Sequence, residues 1–137
     1  MYEVRVQARF QAEHSLTDRD GLQEPAHTHD WIIEAIFRGP SLDEMGVLID
    51  FMVAEKALRG VVDPLDHTNL NEASISAGAN PSAERLARYL FDELRARLGP
   101  TAPLAAVYVH EAPGCTAGFS RIDVFSGPTF QPPGRSN

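Results

Sequence analysis

A single cysteine, Cys115, stands among the 137 residues, so no disulfide can form within the chain. A lone thiol also argues against a structural zinc site, which is normally closed by four protein ligands and commonly includes several cysteines. It agrees with a reducing compartment. Positive charge is scarce. The 12 Lys and Arg face 19 Asp and Glu, a formal net charge of −7, and a field of that sign repels a phosphate backbone. Nucleic acid is therefore not the expected partner. Long apolar runs are missing as well: no segment approaches the roughly 20 consecutive apolar residues that span a bilayer. The start, MYEVRVQARFQAEHS, alternates polar and apolar residues, whereas a secretory leader needs an unbroken apolar stretch behind a basic end. No membrane partner is expected, and the cytoplasm is the expected location. Internal repeats and low-complexity segments are absent too. With 43% hydrophobic residues, the chain has enough apolar material for the core of one domain.

That material is patterned. From Tyr2 to Ala12 the even positions are Tyr2, Val4, Val6, Ala8, Phe10 and Ala12, with polar residues between them. Period two predicts a strand with one wet face. Residues 15–26, polar and carrying Gly21 and Pro25, read as a loop long enough to be functional. A second strand is predicted from His29 to Phe37, paired with the first as an antiparallel hairpin. Asp50 sits where an N-cap belongs, and Phe51, Ala54, Ala57, Leu58, Val61 and Val62 recur at helical spacing up to Pro64. Asn80-Pro81 reads as the cap and first position of a second helix, whose apolar stripe runs from Ala83 to Leu98. Strands from Leu104 to Glu111 and from Ala117 to Phe125 follow, with a turn at Ala112-Pro113-Gly114. The expected fold class is α+β in the order ββααββ, a four-stranded antiparallel sheet with two helices on one face. One domain is expected over residues 1–126, with a disordered tail over 127–137. Sheet edges of that length call for a covering element or another chain.

Three of the five histidines, His14, His27 and His29, fall at adjoining strand ends. Two residues apart on extended backbone, His27 and His29 leave the same side of the sheet. His-x-His alone is more often a surface pair; with a third histidine beside it, a zinc site with three imidazoles and an open fourth position, the catalytic arrangement, stands as an equal alternative. Asp66-His67 in the loop after the first helix can form an acid/base unit, because a carboxylate fixes the imidazole tautomer. The plainer reading is a turn in which Asp66 and Asn69 bond their own backbone. Glu111 ends a strand and is by itself an ordinary solvated acid. His110 has the opposite parity and is read as structural, and Cys115 is either a filler or a thiol facing the site.

In sequence order, Phe10-Gln11-Ala12-Glu13-His14, His27-Thr28-His29-Asp30-Trp31, Gly46-Val47-Leu48-Ile49-Asp50-Phe51, Leu65-Asp66-His67-Thr68-Asn69-Leu70-Asn71-Glu72, Asn80-Pro81-Ser82-Ala83-Glu84 and Val107-Tyr108-Val109-His110-Glu111 resemble blocks of the 6-pyruvoyl- and 6-carboxy-tetrahydropterin synthase family. The resemblance runs from about Val4 to Phe125. It implies the tunnelling fold, in which trimers joined through sheet edges stack into hexamers with sites between subunits. It also implies Zn2+ as cofactor on His14, His27 and His29, and a reduced pterin as substrate. In the same way it gives Glu111 the pterin ring edge, Ser82 a place among the substrate-binding residues, and Asp66 and His67 places in a catalytic triad. A bidentate carboxylate contact suits two parallel N–H donors on the ring.

The third triad member departs from the family pattern. Gln23 occupies the place of the family cysteine, four residues before His27, and a neutral amide cannot take a proton. Glu24 is the nearest ionisable residue, and a branch of the family uses glutamate there, cleaving the side chain to a 6-hydroxymethyl pterin. As a residue in a polar loop, Glu24 is equally an ordinary exposed acid. Thr28 replaces a glycine, and Ala83 and Ala112 stand where hydroxyls are common. The expected activity is a zinc-dependent lyase acting on 7,8-dihydroneopterin triphosphate or a close relative. Its rivals are a pterin-binding homologue without turnover and, further off, a zinc hydrolase or hydratase on a non-pterin substrate.

Overall fold

The computed structural model describes residues 1–73, 75 and 79–121. Its elements are β1 (Tyr2–His14), β2 (His27–Gly39), α1 (Phe51–Val62), β3 (Thr68–Asn69), α2 (Ala83–Leu98), β4 (Leu104–Ala112) and β5 (Cys115–Phe119). β1 and β2 pair antiparallel along their whole length, from Tyr2 opposite Gly39 to His14 opposite His27. The alternation read in the sequence decides which face is dry. Val6, Ala8, Phe10 and Ala12 are buried, while Arg5 on the other face bonds Glu3 at 2.6 Å and Glu34 at 3.0 Å. On the dry face Trp31, Ile33, Ala35 and Phe37 of β2 and Val107 and Val109 of β4 join the same core, which both helices cover.

Among the described residues the sheet has five strands, in the order β3-β1-β2-β4-β5, where four were expected. β3 is the addition, a two-residue strand parallel to β1 beside Ala12 and Glu13. Two residues are too few for a period to register, and backbone bonds make the strand: His67 N–H donates to the Gln11 carbonyl at 2.6 Å and Leu70 N–H to that of Glu13 at 2.8 Å. At the other edge β5 covers Cys115–Phe119 rather than starting at Ala117. Residues 122–125 of the expected strand, and the expected tail over 127–137, lie outside the described residues. The β4–β5 hairpin turns at Pro113-Gly114, where Gly114 has φ +81, a conformation that favours glycine.

Asp50 caps α1 as expected, accepting from the Met52 N–H at 2.7 Å. The cap of α2 is Ser82, two residues beyond the expected Asn80, and its hydroxyl accepts from Arg85 N–H at 3.2 Å. Asn80 instead bonds both backbone groups of Thr17, each at 2.8 Å. That leaves Pro81 between the loop and the helix, with its carbonyl free to turn toward β1. Among the described residues, no helix is long and apolar enough to cross a membrane.

Candidate active site

The strand pairing places His14 directly opposite His27, with His29 one step along the same dry face. Ring centroids are 4.7 Å apart for His14 and His27, 4.6 Å for His27 and His29, and 5.2 Å for His14 and His29. Trp31 forms the floor, edge-on to His14 and His29, and its indole N–H donates to the Ala12 carbonyl at 3.1 Å. The histidines are oriented from behind. His14 Nδ1 lies 2.9 Å from the Pro81 carbonyl and His27 Nδ1 lies 3.1 Å from the Pro25 carbonyl. A carbonyl only accepts, so these nitrogens donate and Nε2 carries the lone pair, the tautomer a metal ligand needs.

Glu111 completes the cluster. Its Oε1 stands 3.0 Å from His14 Nε2 and 3.2 Å from His29 Nε2. Both nitrogens are buried and make no hydrogen bond. A buried lone pair aimed at a carboxylate oxygen is unfavourable unless a cation or proton lies between them. The three rings and the carboxylate each offer a ligand atom, all within 4.8 Å of one another. Zinc bonds of about 2.0–2.2 Å put neighbouring tetrahedral ligands about 3.3–3.6 Å apart; the two Glu111 distances of 3.0 and 3.2 Å are slightly tighter than that, and the 4.8 Å bound on the whole set is looser. The donor set therefore fits a divalent ion of the zinc type. Burial holds the His29 imidazole below its ordinary pKa against the opposing pull of Glu111, which favours the neutral form that can bind metal.

The loop between β1 and β2 is tied down by side chains. Asn71 bonds both backbone groups of Ser15, each at 2.8 Å, as Asn80 does for Thr17, so two asparagines act in place of a neighbouring strand. Thr17 and Gln23 form an isolated antiparallel bridge. The Gln23 amide turns to Ser15 Oγ at 2.6 Å. Glu24 points the other way: its Oε1 accepts from Leu16 N–H at 2.9 Å and lies 3.9 Å from His27 Nδ1. Of the two candidates at this position, the ionisable one is beside His27, on the side of the ring nitrogen that the Pro25 carbonyl also holds.

Asp66 and His67 sit elsewhere, at the β1 edge. Asp66 Oδ1 accepts from Gln11 N–H at 2.9 Å, and its Oδ2 is 3.6 Å from His67 Nε2. His67 holds φ +58, an uncommon conformation for a residue with a side chain, and its ring is 74% exposed. It lines a cavity of about 650 Å³ with Glu13, Thr28, Asn69 and Glu72. Among the described residues no recorded ion pair or hydrogen bond joins this pair to the histidine cluster within one chain. Ser82 spends its hydroxyl on the cap of α2, one residue from the carbonyl that orients His14. The backing roles of Pro81 and Asn71 left no signal in the sequence, and for Glu111 the only signal is the parity it shares with Val107 and Val109, which puts it on the face of the histidines.

Comparison with known proteins bears on this arrangement. The model of the 6-pyruvoyl tetrahydropterin synthase family matches residues 3–121. The dihydroneopterin monophosphate aldolase of Pyrococcus furiosus is 30% identical over 95 residues, which are 69% of this chain and 76% of that protein. The 6-pyruvoyl tetrahydrobiopterin synthase of Drosophila melanogaster is also 30% identical, over 64% of this chain and 53% of its own length, so the chain spans about half of that relative. Among solved structures, the Caenorhabditis elegans 6-pyruvoyl tetrahydropterin synthase superposes with a TM-score of 0.76 at 21% identity, covering 87% of this chain and 94% of that one. A Plasmodium vivax 6-pyruvoyltetrahydropterin synthase with a catalytic glutamate changed to alanine gives 0.73 at 19% identity, over 88% and 97%. At those identities the structures show a shared fold. With the family model matching nearly all of the described chain, this protein belongs to the 6-pyruvoyl tetrahydropterin synthase family, among enzymes that process pterin side chains.

Proposed function

We propose that the chain is a zinc-dependent lyase that cleaves the side chain of a 7,8-dihydroneopterin phosphate, leaving 6-hydroxymethyl-dihydropterin. The observation that carries this reading is the position of Glu24, 3.9 Å from His27, with Gln23 turned away to Ser15. Support comes from the Pyrococcus relative, an aldolase on dihydroneopterin monophosphate by name.

His14, His27 and His29 would hold the zinc, which when bound supplies Lewis acidity toward the oxygens of the substrate side chain. Glu111 would grip the ring edge through two parallel N–H donors. Glu24 takes the proton from the hydroxyl on the second side-chain carbon. The bond between the first and second carbons then breaks, the second becomes an aldehyde, and the electron pair stays on the pterin side, delocalised into the ring. Asp66-His67 returns a proton to that first carbon. Mass spectrometry of products from the mono- and triphosphate tests this: 6-hydroxymethyl-dihydropterin and a two-carbon aldehyde phosphate are expected. A pyruvoyl or carboxy product would put the chain with the synthases, and unchanged substrate would make it a binding homologue.

The proton-returning pair must reach a metal site, and its place at the sheet edge indicates whose. Among the described residues, β1 is paired on its outer side only at Ala12 and Glu13, next to Asp66, and none of them pairs with the rest of that edge. Edge-to-edge joining would carry Asp66 and His67 toward a neighbour's histidines. We therefore propose trimers stacked as a hexamer. Light scattering at micromolar concentration should give six chains; a stable monomer would contradict the assembly.

A further inference from the structure

We propose that Glu111 is a fourth ligand to the metal in the substrate-free protein, and that the pterin ring draws it off the metal when substrate binds. This rests on reading the site as a zinc centre that serves a pterin, and it gives Glu111 two roles that exclude each other in time.

The geometry carries the first role. One carboxylate oxygen lies 3.0 and 3.2 Å from two buried imidazole nitrogens that have no hydrogen-bond partner. A residue that only gripped a ring would have no reason to face them. Local structure explains how it gets there. Glu111 shares the parity of Val107 and Val109, which carries it onto the dry face beside the histidines, and the irregular pairing of β4 with β5 between His110 and Ala112 leaves it without a partner residue on β5. His110 on one side stays in register and bonds Thr116 at 2.9 Å. The ligands also differ in freedom. His14 is 1% exposed and pinned by Pro81, whereas the Glu111 side chain is 29% exposed and has no fixed partner besides the histidines among the recorded contacts. It is the member of the set able to leave.

Chemistry supplies the reason for exchange. Three neutral imidazoles leave the full double charge of the ion in a site walled by Trp31, and a carboxylate halves it. A carboxylate accepting two parallel N–H bonds from a ring edge has both oxygens engaged and cannot keep one on the metal. Ring recognition thus frees the fourth position at the moment the side-chain oxygens arrive, and an empty site is kept closed to other ligands.

Two equilibrium measurements test this without turnover. The first is zinc affinity by competition with a chromophoric chelator, for the parent and Glu111→Gln. The variant should bind zinc at least about tenfold more weakly, the lower end of what losing a metal-site partner costs. The second uses the parent alone, so it stands even if the variant folds poorly: calorimetric binding of a reduced pterin with hydrogen in place of the side chain, with and without zinc. Zinc should weaken that binding several-fold, and saturating pterin should weaken zinc binding by the same factor. Equal zinc affinity in Glu111→Gln would overturn the proposal, as would a ring affinity that zinc leaves unchanged or strengthens. A parent that fails to bind the pterin ring at all, while Glu111→Gln still loses zinc affinity, would sink the pterin reading and the exchange with it; the chelator measurement shows that failure apart from a failure of the metal ligand.

Discussion

Glu24→Gln is expected to keep its zinc and to bind reduced pterin with parental affinity, while single-turnover cleavage slows by about two to four orders of magnitude, the usual worth of a general base. The substitution is chosen for what it preserves. Glutamine retains an oxygen that can accept from Leu16 N–H, the 2.9 Å bond that helps hold the loop against β1. It loses only the ability to take a proton. Glu24→Ala would remove both and confuse a misplaced loop with a missing base. Gln23→Ala provides the contrast: its amide faces Ser15, so it should slow turnover far less. Full turnover in Glu24→Gln would show that another group moves the proton, with His67 and Cys115 the next to replace.

His14→Ala should cost the protein both its metal and part of its stability. His14 is the member of the proposed ligand set that β1 contributes, 1% exposed and edge-on to His27, His29 and Trp31. Its Nδ1–H also links β1 to the residue before the α2 cap through Pro81. Removing the ring leaves a cavity and an unpaired carbonyl, and a loss of about 2–4 kcal/mol is expected on the scale of large-to-small core substitutions. Zinc affinity should fall by more than about a hundredfold, beyond the cost of losing an outer partner. His27→Ala separates the two effects, because its side chain is 39% exposed and should lose zinc with much less loss of stability. A His14→Ala protein as zinc-rich as the parent would remove His14 from the ligand set.

The parts of the fold that periodicity controls were legible. A dozen alternating residues in β1 define its dry face, and a stripe from Ala83 to Leu98 defines α2, because burying one face decides each register. Elements made by backbone bonds alone leave no such trace. β3 exists because two carbonyls of β1 meet the N–H groups of His67 and Leu70. The α2 cap moved to Ser82 for a related reason: Asn80 and Ser82 can both cap, and the loop at Thr17 claimed Asn80. In the site, parity and the His-x-His spacing brought the three histidines together, and the strand pairing puts them on one face. Parity also separated His110 from Glu111 and put Glu111 on the face of Val107 and Val109, but it could not give the 3.0 Å approach to a histidine on β1, two strands away. Asp66 and His67 stand at the β1 edge, where Asp66 bonds Gln11 N–H, and among the described residues no contact within the chain ties them to the histidines, so neither a sequence pattern nor this fold brings the two groups together.

Whether zinc on the histidine cluster drives pterin side-chain cleavage is decided by titrating the metal back. Protein stripped by a chelator is given zinc in steps, and the rate of 6-hydroxymethyl-dihydropterin formation is followed against zinc bound per chain. The rate should rise in proportion to occupancy and level off at one zinc per chain. A rate that stays at the parental level in the stripped protein, or remains at zero once one zinc per chain is bound, would contradict the account.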